Sequence, residues 1–347
     1  MMSAMMDEML QQPAALRTLL DFYGKPDAIP HKQLRQLVSK WPPTVVFTGM
    51  ASSTSAAYPA QVFLNSRGIR ALVWETADLL HYHLKFLGKD TLLVLISQSG
   101  ETIEIRKLLA SVPRDLGMVG VVNVERSTLA SAVKLAFPTK AGPETTVSTK
   151  TYNSAVAALM YLAFAITGES PEPVHRAVRR AARMQEMIIE KQKRVLAPVL
   201  QMFDNPESIT VLSRGPDMST VYEAATYFME AVRTPALPMS AGLFRHGALE
   251  TISPERAFIV VARRWKTGKL LVRLAEFIAS KGGRVLMLTD MPYKGDGIAT
   301  IEVESMPLGL GTLVDTVYLQ FLAHEVAVRR GLEPGKFWIH TGVIKIE

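Results

Sequence analysis

Short apolar runs without polar alternation recur along this chain, and they limit most strongly how it can fold. The run Thr91–Ser97, TLLVLIS, is typical, and helical patterns separate it from its neighbours. Such runs predict strands covered on both faces, and their alternation with helices predicts an α/β fold with parallel sheets. The predicted strands are Thr44–Met50, Arg70–Glu75, Thr91–Ser97, Met118–Val124, Leu135–Thr139, Ser208–Arg214, Ala257–Arg263, Arg284–Thr289 and Ile298–Val303.

The spacing of these runs repeats. Val45 and Val211 are 166 residues apart, and so are Leu92 and Phe258. A near-constant offset suggests two copies of one α/β unit, and a length of 347 residues also fits two domains. We therefore predict a helical N-terminal extension at 1–40, a first domain at 41–170, a helical linker at 171–200, a second domain at 201–330 and a C-terminal tail over the active site at 331–347.

Composition excludes several function classes. The chain has no Cys, so disulfides, thiolate nucleophiles and Cys-based zinc sites are excluded. The net charge is +7, from 39 basic and 32 acidic residues, and it suits anionic small molecules. The basic clusters are scattered and lack interleaved aromatic residues, so we expect no nucleic-acid partner.

We also expect no membrane partner. The N-terminus carries Asp7 and Glu8 and lacks the features of a signal peptide. The longest apolar run, Ala155 to Ile166, has twelve residues, whereas a bilayer needs ~20. This run predicts a buried helix, and we expect a soluble cytoplasmic protein.

One loop has the features of a phosphate site. Strand 91–97 leads into Ser97-Gln98-Ser99-Gly100-Glu101-Thr102 and then into a helical pattern. Free N–H groups at a helix start face an anion, and hydroxyls can donate to it. The alternative is an ordinary helix cap, because Ser and Thr are favoured there in any case.

Two further segments favour phosphate over the cap. Gly49-Met50-Ala51-Ser52-Ser53-Thr54 and the loop 141–150, AGPETTVSTK, each follow a predicted strand. Open α/β sheets bind ligands at this end of their strands.

These segments together resemble the sugar isomerase (SIS) family, and most closely its double-SIS branch. That branch includes the isomerase domain of glucosamine-6-phosphate synthase and the fructoselysine 6-phosphate deglycases. The resemblance implies two tandem SIS domains, each a flavodoxin-like αβα sandwich. It also implies a sugar phosphate held by Ser53, Ser97, Gln98, Ser99 and Thr102, in a pocket lined by Ser52, Ser148, Lys150, His81 and Glu223.

The second half holds candidate acid–base groups. Glu223 and Glu230 are seven residues apart and share one face of a helix, and His246 lies in a segment with turn character. Considered alone, they could simply be solvated. The resemblance implies that Glu230 is the catalytic carboxylate and that His246 opens the sugar ring, although Leu243 and Ala248 depart from the family motif around the histidine.

Other positions depart further from the synthase. Gly342 stands where the resemblance implies a Schiff-base lysine, Lys336 and Lys345 are out of register, and Tyr227 replaces a lysine one turn before Glu230. We also expect no glutaminase domain. We therefore expect a deglycase rather than the synthase, because a deglycase substrate already carries its amine.

The second copy lacks a hydroxyl-rich loop. Ala262-Arg263-Arg264-Trp265-Lys266-Thr267 stands at the position that matches SQSGET. We therefore expect one phosphate site per chain. Solvent exposure is the preferred interpretation for Arg263 and Arg264, and contact with a substrate carboxylate is the alternative.

The leading hypothesis is cleavage of a 6-phosphofructosyl amine to a sugar 6-phosphate and a free amine. An aldose–ketose isomerase, an amino-sugar phosphate deaminase and a non-catalytic sugar-phosphate sensor stay open. This chemistry needs no cofactor or metal, and no nucleotide-binding motif appears. The resemblance further implies a homodimer, or a dimer of dimers, with active sites shared between subunits.

Overall fold

The computed structural model describes residues 3–339, which divide into two compact lobes. The first lobe contains Gln11–Ala182 together with residues 338–339. The second contains residues 3–10 and Arg183–Phe337. Each lobe has one five-stranded sheet in which every pairing is parallel, so the predicted α/β class is confirmed.

The first sheet has the strand order β2-β1-β3-β4-β5. All residues of its two central strands, β1 and β3, are buried, which explains their lack of polar alternation. Its strands are β1 (Thr44–Gly49), β2 (Ala71–Glu75), β3 (Thr91–Ser97), β4 (Gly117–Val122) and β5 (Leu135–Pro138).

Helices cover this sheet. The described chain starts with α1 (Ala4–Leu10), which groups with the second lobe. The first lobe then has α2 (Gln12–Tyr23), α3 (His31–Arg35), α4 (Ser52–Ser55), α5 (Tyr58–Ser66), α6 (Thr76–Asp78), α7 (Ile103–Ser111), α8 (Thr128–Ala132) and α9 (Lys150–Thr167). A single π turn (Leu79–His83) and a 3₁₀ turn (Leu84–Phe86) follow α6.

Helix α9 forms the centre of the first lobe. Every residue from Ala155 to Ile166 is buried, which confirms the buried helix predicted there. Tyr161 stacks on Tyr23 of α2 and Phe164 stacks on Phe63 of α5, each with ring centroids 4.5 Å apart. These contacts hold α9 in place. The first turn of α9 faces the carboxyl ends of the strands.

The second sheet has the order β10-β9-β8-β6-β7. Read from its β7 edge, this is the strand order of the first sheet. Its strands are β6 (Ile209–Ser213), β7 (Ala236–Ser240), β8 (Ala257–Ala262), β9 (Arg284–Thr289) and β10 (Ile298–Glu302).

The second lobe takes its helices from the rest of the chain. They are α10 (Glu172–Leu196), which contains the lobe boundary, and then α11 (Met218–Glu230), α12 (Ala241–Phe244), α13 (Gly268–Ser280) and α14 (Thr312–Arg329). Short 3₁₀ turns lie at Leu200–Phe203, Gly215–Asp217, Ala248–Thr251 and Pro307–Gly309. Among residues 3–339, no helix is both long and apolar enough to cross a bilayer.

Strand β7 is absent from the sequence-based prediction. Pro238 lies in its middle, and a proline within an apolar run argues against a central strand. Here β7 is an edge strand, with β6 as its only neighbour in the sheet order. A proline is tolerated there because an edge strand has a neighbour on one side, so a backbone N–H that would point to the other side is not needed for the sheet.

Candidate functional site

A small cavity opens at the carboxyl ends of the first sheet. It lies where the strand order reverses between β1 and β3, the crevice in which open α/β sheets bind ligands. Side chains that follow four different strands meet there. The lining residues are Ser52, Ser53, Ile96, Ser97, Gln98, Val121, Asn123, Thr139, Ser148, Thr151, Tyr152 and Ala155.

The turn after β3 is shaped by its own hydroxyls. Ser97 Oγ accepts a hydrogen bond from the Gly100 N–H at 3.0 Å, and Ser99 Oγ accepts one from the Glu101 N–H at 3.2 Å. Gly100 has a φ of 67°, and a Cβ there would lie 2.2 Å from Ser127 Oγ. Only glycine fits this position, so the single glycine of SQSGET sets the path of the loop.

Glu101 ties this turn to the start of α8. Its carboxylate accepts hydrogen bonds from Thr128 N at 2.6 Å and from Thr128 Oγ1 at 2.8 Å. These bonds favour the charged form and lower the pKa of Glu101. The acid of the motif therefore acts as a brace for the loop and is not among the cavity-lining residues.

The turn after β1 requires that Gly49 lie very close to Ser53 and to the end of β3. A Cβ on Gly49 would lie 2.8 Å from Ser53 Cβ and 2.9 Å from the Ile96 carbonyl oxygen. Without a side chain at this position, α4 packs against the end of β3. The glycine thus brings Ser52 and Ser53 into the same cavity as Ser97.

Asn123 is a cavity residue that the sequence analysis missed. Its Oδ1 accepts from Ala141 N at 3.0 Å and from Thr139 Oγ1 at 2.9 Å, and its Nδ2 donates to the Gly142 carbonyl at 2.7 Å. One amide therefore holds the third loop, residues 139–150 after β5, against β4. A single asparagine after a strand carries no local signal of this role, because all three partners lie more than fifteen residues away.

Glu144 orders the rest of that loop. Its Oε1 accepts from Thr149 N at 3.0 Å and from Thr149 Oγ1 at 2.9 Å, and its Oε2 accepts from Thr151 Oγ1. Ser148 and Thr151 reach the cavity from this braced segment. Lys150 does not line the cavity: it is buried, and its Nζ donates to Gln11 Oε1 at 2.6 Å.

Four other residues predicted for the site lie outside the lining: Ser99, Thr102, His81 and Glu223. Ser99 is half-buried in the turn, and Thr102 is the residue just before α7, with its Oγ1 buried and without a hydrogen-bond partner among the described residues. His81 is exposed on the π turn. The cavity thus gathers Ser52, Ser53, Ser97, Gln98 and Ser148 from the predicted set.

The lining carries no charged side chain. A phosphate bound there would be held by hydroxyls, by the amides of Gln98 and Asn123, and by backbone N–H groups at the start of α4 and α7. Backbone donors of this kind are a common way to bind phosphate. Within residues 3–339 no group of three His, Asp or Glu side chains could hold a metal ion.

The second lobe contains the candidate acid–base residues. Glu230 is the last residue of α11 and is half-buried, and burial raises its pKa to about 7. A carboxyl group with that pKa exchanges a proton readily near neutral pH. His246 is exposed just after α12, and Glu223 is buried in α11.

Two of the positions compared with the synthase, Tyr227 and Lys336, have different surroundings in the structure. Tyr227 is fully buried, and its hydroxyl accepts a hydrogen bond from Gln320 Nε2 at 2.9 Å. Lys336 is paired with Glu333 at 2.9 Å. Gly342 and Lys345 lie outside the described residues.

The expected solvent exposure of Arg263 is wrong. Its side chain is 1% exposed, and its Nε donates to Asp315 Oδ2 of α14 at 2.8 Å. It also donates to the Glu304 carbonyl at 2.8 Å. The interpretation failed because its partner lies 52 residues away in sequence. Arg264 is exposed, as expected.

Comparison with known proteins gives a family match for the first lobe. Residues 37–168 match the model of the SIS domain. The chain is 29% identical over 272 residues to the glutamine–fructose-6-phosphate aminotransferase (isomerizing) of Thermus thermophilus. The alignment covers 74% of this chain but 44% of that protein, so the chain spans about half the length of this relative.

Solved structures share the fold over almost the whole chain. The C-terminal domain of glucosamine-fructose-6-phosphate aminotransferase from Francisella tularensis superposes with a TM-score of 0.85 at 20% identity, covering 97% of this chain and 98% of that one. Tagatose-6-phosphate ketose/aldose isomerase from Escherichia coli gives 0.81 at 17% identity, with 97% and 96% covered. Glucosamine-6-phosphate deaminase from Thermotoga maritima gives 0.76 at 20% identity, with 99% and 100% covered.

Proposed function

Starting from a SIS domain at residues 37–168, we propose that this chain is an enzyme that acts on a phosphorylated sugar and cleaves a 6-phosphofructosyl amine. The observation that carries the proposal is the uncharged, hydroxyl-lined cavity of the first lobe, at the point where the strand order reverses. The proposed role of this cavity is to anchor the sugar phosphate through Ser53, Ser97 and Gln98, and the anchor orients the sugar.

Glu230 is proposed as the proton carrier. A ketose amine has its amine on C1 and a carbonyl on C2. His246 helps to open the ring, and Glu230 removes a proton from C1 to give an enolamine. The same proton returns at C2, which leaves an aldimine at C1. Water then adds to the aldimine, and the products are the free amine and an aldose 6-phosphate.

Two features support this assignment. Burial raises the pKa of Glu230 to about 7, so the group can accept the C1 proton and return it at neutral pH. Tyr227 supplies a buried hydroxyl, bonded to Gln320, where the synthase has an amine. A deglycase needs no lysine at this position because its substrate already contains the carbon–nitrogen bond.

An aldose–ketose isomerase or amino-sugar phosphate deaminase is the second candidate. The structures from Escherichia coli and Thermotoga maritima, named for those two activities, share this fold over nearly the whole chain. Both reactions use the same proton transfer between C1 and C2. The homodimer with shared sites stays part of the proposal.

The test is incubation of the purified protein with 6-phosphofructosyl-lysine, with release of glucose 6-phosphate followed by a coupled dehydrogenase. Glu230→Gln is assayed alongside, and Glu302→Gln, an exposed glutamate on β10, is the matched control. We expect release by the wild type and by Glu302→Gln. For Glu230→Gln we expect a rate at least ~10²-fold lower, since general acid–base catalysis contributes about that much.

Other outcomes discriminate between the candidates. Interconversion of ketose and aldose 6-phosphates, or deamination of glucosamine 6-phosphate, would replace the deglycase with the second candidate. Tight binding of sugar phosphates without turnover of any of them would contradict an enzyme and would favour a sensor.

A further inference from the structure

A second cavity lies in the second lobe, beside α12 and α13. It has a volume of about 400 Å³, within the range of ~300–1,000 Å³ that is typical of ligand pockets. Three arginines from three parts of the chain line it: Arg214 after β6, Arg245 after α12, and Arg273 on α13. Unlike the first cavity, this one combines positive charge with an apolar wall.

Among residues 3–339, the three guanidinium groups have no acidic partner. None of them forms a hydrogen bond or ion pair with another of the described residues. Arg214 Nε is buried and still makes no hydrogen bond. A buried donor without a partner costs free energy, and an anion in the cavity would recover it.

Helix α13 supplies the apolar wall. Leu270, Arg273 and Phe277 are three or four residues apart, so they share one face of the helix. Leu270 is 47% exposed and Phe277 is 42% exposed, and both line the cavity. Leu249, in the turn that follows His246, also lines the cavity.

We propose that this cavity binds an organic anion, in which a phosphate or carboxylate group is joined to an apolar body. The guanidinium forks match the acidic group, and Leu270 and Phe277 cover the apolar body. Inorganic phosphate would leave the apolar wall in water, and a neutral apolar ligand would leave the arginines unpaired. This cavity shares no lining residue with the phosphate cavity, and its ligand is tested separately from the proposed function.

The test uses two fluorescent probes with the same apolar body. 1-Anilinonaphthalene-8-sulfonate carries an anionic group, and N-phenyl-1-naphthylamine does not. Both are titrated into the wild type, Arg214→Gln, Arg273→Gln and the control Arg194→Gln, an exposed arginine on α10 outside the cavity. Phenyl phosphate, benzoate and phenol are then tested as competitors.

We expect the wild type to bind the sulfonate at least tenfold more tightly than the neutral probe. Arg214→Gln and Arg273→Gln should each weaken sulfonate binding about tenfold, and Arg194→Gln should leave it unchanged. Displacement by phenyl phosphate or by benzoate identifies the preferred acidic group, and phenol should not compete.

Equal affinity for the two probes, or sulfonate binding that neither Arg214→Gln nor Arg273→Gln weakens, would overturn the proposal. So would a third result, obtained by sedimentation of Arg273→Gln. If that variant lost self-association while its sulfonate binding stayed at the wild-type level, this face would be an interface between copies of the chain.

Discussion

Arg263 and Asp315 form a two-point ion pair inside the second lobe, in which Nε donates to Oδ2 at 2.8 Å and Nη2 donates to Oδ1. The two side chains are 1% and 0% exposed. The pair lies after β8, the central strand that corresponds by sheet order to β3 of the first lobe. An internal salt bridge therefore stands where the first lobe has its hydroxyl-rich turn.

Breaking that pair should be costly. Arg263→Leu leaves Asp315 buried without its cation, and we expect a loss of about 3–5 kcal/mol in the free energy of unfolding, measured with urea. Arg264→Leu, the exposed neighbour, should change it by less than about 1 kcal/mol. The double variant Arg263→Leu/Asp315→Leu should recover part of the loss, and a double variant less stable than Arg263→Leu would contradict this account.

Asp217 should make stability fall as pH rises. Burial raises its pKa from 3.8 to about 8, with Asp315 and Asp290 adding to the shift and Arg263 opposing it. Between those pH values the folded state keeps a proton that the unfolded state has lost, so alkaline conditions favour unfolding.

Asp217→Asn removes this titration. We expect its melting temperature to exceed that of the wild type by more at pH 8 than at pH 5, as measured by circular dichroism. Asp296→Asn, an exposed aspartate, serves as the control and should show no such difference. A gain for Asp217→Asn that is equal at both pH values would rule out the titration.

Gly100→Ala should disrupt the turn after β3. The new Cβ would lie 2.2 Å from Ser127 Oγ and 2.5 Å from Ser127 Cβ, in addition to the strain of a positive φ. Gly142→Ala is the matched control, because it has a φ of 74° and no atom within 4 Å of the new Cβ. We expect at least a tenfold weaker affinity for fructose 6-phosphate in Gly100→Ala than in Gly142→Ala by calorimetry, and equal affinities would contradict the assigned role of this turn.

Asn123 should affect phosphate affinity through loop position and charge. Asn123→Ala removes the three hydrogen bonds that hold the third loop. Asn123→Asp keeps the two that Oδ1 accepts, loses the one that Nδ2 donates and places a negative charge in an uncharged cavity. We therefore expect fructose 6-phosphate affinity to fall in the order wild type, Ala, Asp, with Asp at least tenfold below wild type. If Asn123→Asp bound fructose 6-phosphate as tightly as the wild type, the cavity would not be the phosphate site.

The rate of the proposed reaction should rise with pH through about 7. Glu230 must be ionised to take a proton from carbon, and its pKa is raised to about 7 by burial. Histidine side chains titrate in the same range, so the profile is measured for His246→Gln as well as for the wild type. We expect the same midpoint in both, whereas a midpoint near 4.5 would contradict the raised pKa of Glu230.

Local patterns predicted much of the fold and part of the site. The apolar runs without polar alternation were sufficient to predict the strands because both faces of each sheet are covered. Small hydroxyl residues directly after a strand were sufficient to predict that Ser53 and Ser97 line the cavity, since the geometry there is local. Pro238 concealed β7, because its place at a sheet edge is decided by strand order rather than by its neighbours in sequence.

Long-range contacts account for what the sequence did not reveal. The role of Asn123 depends on loop atoms at positions 139–142, and the burial of Arg263 depends on a carboxylate in α14. In neither case does the residue type or its flanking sequence distinguish a solvated side chain from a fixed one.

The salt bridge between Arg263 and Asp315 also restricts how the second lobe can evolve. Replacing either member alone leaves an opposite charge buried, so a mutant on the way to a small, hydroxyl-rich turn would first be less stable than its parent. Two coordinated changes are needed, and they are far less frequent than one. The difference between the turns after β3 and β8 is therefore easy to keep and difficult to reverse.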